Sequence, residues 1–394
     1  MAVYRTSPDP PEDDDRQLPI PADQVQNPQA GNPQWKAPSG FKMPSMDSVK
    51  DFFSGGINNL MDDIVVALGS ENIYVASREH PEPAAFASYI AVSKANGQVI
   101  ALGEKARAMM GREPQNIEVI PLLHHGVPEN PDLFGSFVQR VIKKHFSRMV
   151  RPRILCSGNF NSPLLKQVCS EGLSQVRCRD ILFCEPEIAA AVGLGLDILE
   201  PSLKSVLVFE KDWMGFMVIS LTGSLTKVRL NIGFDHMLED IQIYFEESND
   251  FSPREEDLVQ QFRTSGFTGN QNLIGWEAWV DQVERGKPVT LQADSMEYQK
   301  AVTPTLLRVK HAVNKSLQAL TREQRYTVQT TPTYLAGEFA ELPGFKELLE
   351  RVFGREFRIG KNPRQTMASG LVALIPNIDV LRAINGGEAQ EVDF

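Results

Sequence analysis

The stretch Ser205 to Gly233, SVLVFEKDWMGFMVISLTGSLTKVRLNIG, constrains the fold more than any other part of the chain. Ser205 to Phe209, Phe216 to Leu221 and Leu225 to Leu230 are runs of β-branched and aromatic residues, and Thr222-Gly223 supplies a tight turn between the last two. The spacing predicts an antiparallel three-stranded meander. Directly before it, Cys184 to Leu196 reads as a helix, opened by Glu185-Pro186, filled by Ala189-Ala190-Ala191 and stopped by Gly193 and Gly195.

With 394 residues, 42% hydrophobic and 23% charged, the chain is long enough for two core-bearing lobes and a tail. A net charge of -10 argues against binding nucleic acid, whose non-specific affinity comes from clustered Lys and Arg. Cys156, Cys169, Cys178 and Cys184 contain no Cys-x-x-Cys pair and read as reduced buried thiols, which suits a reducing cytoplasm. His124-His125 reads as a structural pair rather than a metal site. No apolar run approaches the roughly 18 residues of a membrane span, and the first residues are not a signal peptide.

Residues 1–45 are crowded with prolines and carry an acidic run, so they are expected to be a disordered tail, or an arm that docks a partner through Trp35 or the prolines. Residues 46–62 form an amphipathic helix pattern, with Phe52, Phe53, Ile57 and Leu60 on one stripe. That stripe suits either a membrane surface or packing on the chain's own domain or a protein partner. The polar face has Lys50 as its only base against several aspartates, which weighs toward protein contact.

Glu185-Pro186 with Ala189-Ala190-Ala191, the run Val218-Ile219-Ser220-Leu221 before Gly223, and Ile232-Gly233 together resemble the actin-like ATPase superfamily, and within it the MreB branch of bacterial rod-shape proteins. The same resemblance is carried by the string G-x-K-A-x-x-M-x-G-R-x-P-x-N-I from Gly103 to Ile117. It implies an α/β, actin-like fold of two lobes, each a mixed β-sheet flanked by helices, with a cleft between them. Transferred to this chain, the first lobe is residues 63–184, with a small subdomain at 76–127. The second lobe is 185–360, with a variable subdomain at 248–300. Residues 361–384 form a closing helix that returns to the first lobe, and 385–394 a flexible end.

The family's nucleotide loops are altered here. Ala67 and Phe209 stand where the resemblance implies aspartates, and Leu165 stands where it implies the glutamate that orients the attacking water. Of a glycine triplet only Gly337 remains, followed by Glu338 and Phe339, and the helix from Glu255 to Phe262 lacks the residues that face the nucleoside. What remains of a degenerate nucleotide site is Gly69, Ser70, Asp212, Gly215 and Gly337, with no catalytic residue and no metal ligand set. Because phosphoryl transfer is catalysed by positioning and electrostatics, the resemblance implies a cell-shape or cytoskeletal scaffold that does not hydrolyse ATP and needs no cofactor. Such a protein would polymerise, cap or adapt. The alternatives are an active filament protein that binds ATP with Mg²⁺ and hydrolyses it, and a small-molecule kinase of the same superfamily. The implied partners are a second copy, another actin-like filament protein, or the inner membrane surface or a membrane protein, with the chain in the cytoplasm or peripheral on that membrane. Phe209, Trp213, Met214 and Phe339 put bulky apolar groups where small residues and phosphate would be, and some of them are expected to fill part of the interlobe cleft. The alternative is that Trp213 and Met214 sit on an exposed loop tip.

Overall fold

The computed structural model describes residues 63–146, 151–221, 223–249, 255–268, 274–278, 289–293 and 295–384. The proline-rich tail, the stripe of Phe52, Phe53, Ile57 and Leu60, and the C-terminal ten residues lie outside them. Strands β1 (Asp63–Leu68), β2 (Asn72–Ser77) and β3 (Ala84–Ala87) make an antiparallel meander. A separate small sheet follows, with β4 (Tyr89–Ser93) between β5 (Val99–Leu102) and β6 (Ile117–Pro121). It leads into a short hairpin of β7 (Leu123–His124) and β8 (Val127–Pro128). The chain then returns through β9 (Arg153–Ser157) and β10 (Asp180–Cys184), both in parallel pairings, so that the first sheet has the order β10-β9-β1-β2-β3.

The second half repeats this plan. Strands β11 (Lys204–Phe209), β12 (Met214–Ser220) and β13 (Gly223–Leu230) form the meander expected from their alternation. A two-stranded excursion, β14 (Ile274–Ala278) with β15 (Val289–Ala293), stands apart. Parallel β16 (Thr333–Ala336) and β17 (Phe357–Ile359) complete the order β13-β12-β11-β16-β17. Two five-stranded sheets thus share one topology. Central β1 of the first sheet is buried along its whole length, and in the second sheet central β11 is buried from Ser205 to Phe209 and its neighbour β12 throughout, as expected for strands covered on both faces.

Three apolar cores follow from this layering. One lies beyond the first sheet, built on Ile64, Val66 and the helix Pro131–His145 with Phe134, Phe137 and Val138. Another lies beyond the second sheet, where Leu207, Phe209 and Phe216 meet the helices Phe234–Asn249, Ser295–Leu317 and Phe345–Phe353. The third joins the sheets, because the opposite faces of β1 (Val65, Ala67) and β11 (Val206, Val208) both pack on the helices Pro186–Gly193 and Thr366–Leu374. Residues 63 to 384 therefore cohere through a shared middle layer. The four cysteines are free and buried.

Two boundaries differ from the sequence reading. β12 begins at Met214 because the chain turns tightly from Glu210 to Trp213, with Glu210 N–H donating to the Trp213 carbonyl at 3.0 Å. Apolar spacing predicts a helix from Thr305 to Leu320, whereas the helix of the structure runs from Ser295 through Pro304 to Leu317. A proline there removes one helical N–H bond and disrupts the turn, and the neighbouring Thr305 N–H donates instead to Asp240 Oδ2 at 3.3 Å.

Candidate functional site

The carboxyl end of β11, the carboxyl end of β16, the β1–β2 turn and the β7–β8 hairpin converge on one cleft. Each contributes a short loop whose main-chain N–H groups have no ladder partner and must be satisfied otherwise. In the β1–β2 turn, Gly69 N–H closes the turn on the Asn72 carbonyl at 3.0 Å, which leaves Ser70 and Glu71 N–H facing the second sheet. Gly337, at the end of β16, has a φ of 110° and lies on the Phe209 carbonyl so closely that a Cβ would collide with it. Only glycine meets both demands, and this close approach aims the Glu338 side chain across the cleft.

Carboxylates from the second sheet accept those N–H groups. Glu210 takes Ser70 N–H and Glu338 N–H, each at 3.3 Å. Asp212 takes His125 N–H at 2.6 Å and the Ser70 hydroxyl at 2.5 Å. Glu338 takes Glu71 N–H at 3.1 Å, the Tyr74 hydroxyl at 2.9 Å and the Asn72 amide. Both oxygens of every one of these carboxylates are therefore engaged. Glu210 is fully buried and Glu338 nearly so. Burial pushes both carboxyls upward, with the Glu338 charge adding at Glu210 and the Glu71 charge adding at Glu338, while the hydrogen bonds they accept oppose the shift. Burial and the Glu338 charge likewise push the Tyr74 phenol far upward, so it stays a donor.

Two further polar clusters flank this seam. On one side Arg229 of β13, 6% exposed, pairs with Glu187 at 2.6 Å and with Glu185, and donates to the Phe160 carbonyl at 3.2 Å. Gly215 leaves the room that Glu187 occupies. On the other side Lys211 lies 3.7 Å from Asp235, 3.8 Å from Glu255 and 3.9 Å from Glu71, and Arg263 bonds Glu71 at 2.5 Å. Burial raises the Asp235 carboxyl to about 7, against the pull of Lys211 and with the push of Glu255.

Trp213 is fully buried in the core that joins the sheets, with its indole against Gly126 of the β7–β8 hairpin. Phe209, Met214 and Phe339 are also buried, but in the core beyond the second sheet. Strand alternation sends Phe209 to the face opposite Val208, where it meets Phe345 at a ring distance of 5.0 Å. Phe339 stacks on Phe234 at 4.4 Å. Ala67 is buried in the joining core and Leu165 packs on the core of the first sheet.

Sequence reasoning did not find Arg229, Glu187, Tyr74, His125 or Arg263. A signal existed for Glu187, since one carboxylate in an otherwise apolar helix requires a cation. None existed for Arg263, whose partner comes from the distant β1–β2 turn.

A nucleotide polyphosphate does not fit this donor set. The N–H groups it would need are bonded to side-chain carboxylates, and Glu71, Glu210, Asp212 and Glu338 would repel it. Among the described residues no group of three or more His, Cys, Asp or Glu side chains could hold a metal ion. A cavity of about 10 Å³ beside Phe160, Lys166 and Glu185 has room for roughly one water, far below the roughly 300 to 1,000 Å³ of ordinary ligand pockets. No helix among the described residues is long and apolar enough to cross a membrane.

Comparison with known proteins places this architecture. The MreB/Mbl protein family matches residues 61–383. The cell shape-determining protein Mbl of Bacillus subtilis is 24% identical over 326 residues, covering 81% of this chain and 97% of Mbl. The cell shape-determining protein MreB of Escherichia coli is 24% identical over 339 residues, covering 83% and 96%. Among solved structures, MreB5 of Spiroplasma citri bound to AMPPNP superposes with a TM-score of 0.73 at 16% identity, covering 84% of this chain and 100% of MreB5. The MamK double helical filament superposes with a TM-score of 0.63 at 17% identity, covering 80% and 98%. These superpositions carry the two-lobed actin-like fold.

Proposed function

The chain belongs to the MreB/Mbl family, and we propose that it is an actin-fold cytoskeletal protein of the cell-shape class that assembles without hydrolysing ATP. The observation that carries this reading is the bonding of the cleft loops to one another through Glu210, Asp212 and Glu338. A subunit closed in this way needs no nucleotide to bring its lobes together. We place the lobes at 63–184 and 185–360, with 361–384 closing back on the first. Gly69, Ser70, Asp212, Gly215 and Gly337 then serve closure, not nucleotide binding, and Trp213 fills the space between the lobes. Self-association is supported by the MamK relative, which forms a double helical filament. The stripe of Phe52, Phe53, Ile57 and Leu60 is the candidate contact to a membrane surface or partner, with the protein acting in the cytoplasm.

A second reading, an ATP-binding and ATP-hydrolysing filament protein, is favoured by the MreB5 structures with ADP and AMPPNP. Phosphate release from MgATP, measured beside pelleting and electron microscopy of the full chain with and without nucleotide, separates the two. The expected result is background phosphate release and assembly, alone or on an actin-like partner filament, that is the same in both conditions. Mg²⁺-dependent release that disappears in Glu71→Ala or Asp212→Ala would overturn the first reading.

A further inference from the structure

We propose that Glu210, Asp212 and Glu338 are resident anions of the cleft, holding it shut in the ligand-free protein by occupying the main-chain N–H groups that an external polyphosphate would require. The inference rests on the reading of a nucleotide-independent subunit and gives it a mechanism.

Several observations carry it together. Ser70, Glu71 and His125 N–H belong to turns of the first half of the chain, and their acceptors belong to loops of the second half. The bonds therefore span the cleft instead of stabilising one loop. Each carboxylate uses both oxygens, and Glu338 also takes the Asn72 amide and the Tyr74 hydroxyl, a donor density suited to an anion. Glu210 has no solvent exposure and Glu338 is 6% exposed, so neither carboxylate could stay in place without these donors. The bonded positions also tie together: Glu338 N–H itself donates to Glu210, so the β11 and β16 loops advance on the first sheet as one unit. A small external anion would have to displace acceptors tethered to the chain, whose effective concentration is set by the fold.

Hydrogen exchange of the full chain, read on fragments covering Ser70–Glu71 and His125, tests this. In the ligand-free wild type these amides are expected to be protected, and inorganic tripolyphosphate at millimolar concentration should leave their exchange unchanged. In Glu210→Gln/Glu338→Gln, exchange at Ser70–Glu71 should rise by about tenfold or more, and tripolyphosphate should slow it again. If the double variant does not fold, Asp212→Asn, at a side chain 18% exposed, is read at His125 with the same expectation. Unprotected amides in the wild type, unchanged exchange in the folded variant, or protection of the wild type by tripolyphosphate would each overturn the inference. A protein that fails to assemble while these amides stay protected would instead overturn the proposed function alone. Unprotected amides in a chain that assembles without nucleotide would do the reverse.

Discussion

Trp213 is the side chain through which the second meander meets the β7–β8 hairpin. It is fully buried, and Gly126 beneath it has a φ of 71° and no space for a Cβ. Among the described residues the indole N–H has no hydrogen-bond partner, so the residue contributes packing, not a polar contact. Trp213→Phe should therefore cost only about 1 to 2 kcal/mol, whereas Trp213→Ala should cost about 3 to 5 kcal/mol by opening a cavity. Urea unfolding at unchanged slope measures both. Equal losses for the two variants would show that something other than ring packing holds the site. The sequence displayed the residue type but not its burial, because the glycine that receives the ring lies in a distant hairpin.

At the scale of elements, the helices Pro186–Gly193 and Thr366–Leu374 cross where Gly193 lies on the Thr366 carbonyl and Gly370 on the Ala189 carbonyl. In an isolated helix Gly370→Ala would stabilise by about 1 kcal/mol through propensity. Here the added methyl meets main chain that cannot yield, so a net loss of about 1 to 3 kcal/mol is expected from overpacking. The sign of the change in melting temperature decides the point. The meander of β11 to β13 was legible because its alternation is local. The helix through Pro304 was not, since the acceptor that satisfies Thr305 is Asp240 on another helix. The same limit hid the cleft seam: Glu338 reads locally as a lost glycine, and its meaning depends on Tyr74 and Glu71 across the cleft.

For the whole molecule, closure rests on polar groups that are costly to bury, so their pairing and protonation set its stability. Arg229→Ala leaves the fully buried Glu187 without its cation and should destabilise by about 3 to 5 kcal/mol. Adding Glu187→Leu to Arg229→Met should recover much of that loss, as a denaturation cycle would show. The pH response should run opposite to ordinary acid unfolding. Asp235 has an ordinary value of 3.8 and is raised to about 7 by burial, with Glu255, Asp212 and Glu71 adding to the shift and Lys211 opposing it. Between those values the folded chain keeps a proton that the unfolded chain releases, so stability falls as pH rises from about 4 to about 7 and is level above that. Glu185, lowered by Arg229 and Lys227 against its burial, acts only below its ordinary 4.5. The full shift corresponds to about 4 kcal/mol, and solvent screening at a side chain 32% exposed reduces the expected share of Asp235 to about 1 to 2 kcal/mol. The wild type should therefore melt several degrees higher at pH 5.5 than at pH 7.5, and Asp235→Asn, which cannot release the proton, should narrow that gap. A wild type that melts higher at pH 7.5, or a gap that Asp235→Asn leaves intact, would show that Asp235 is ionised at no cost to the fold.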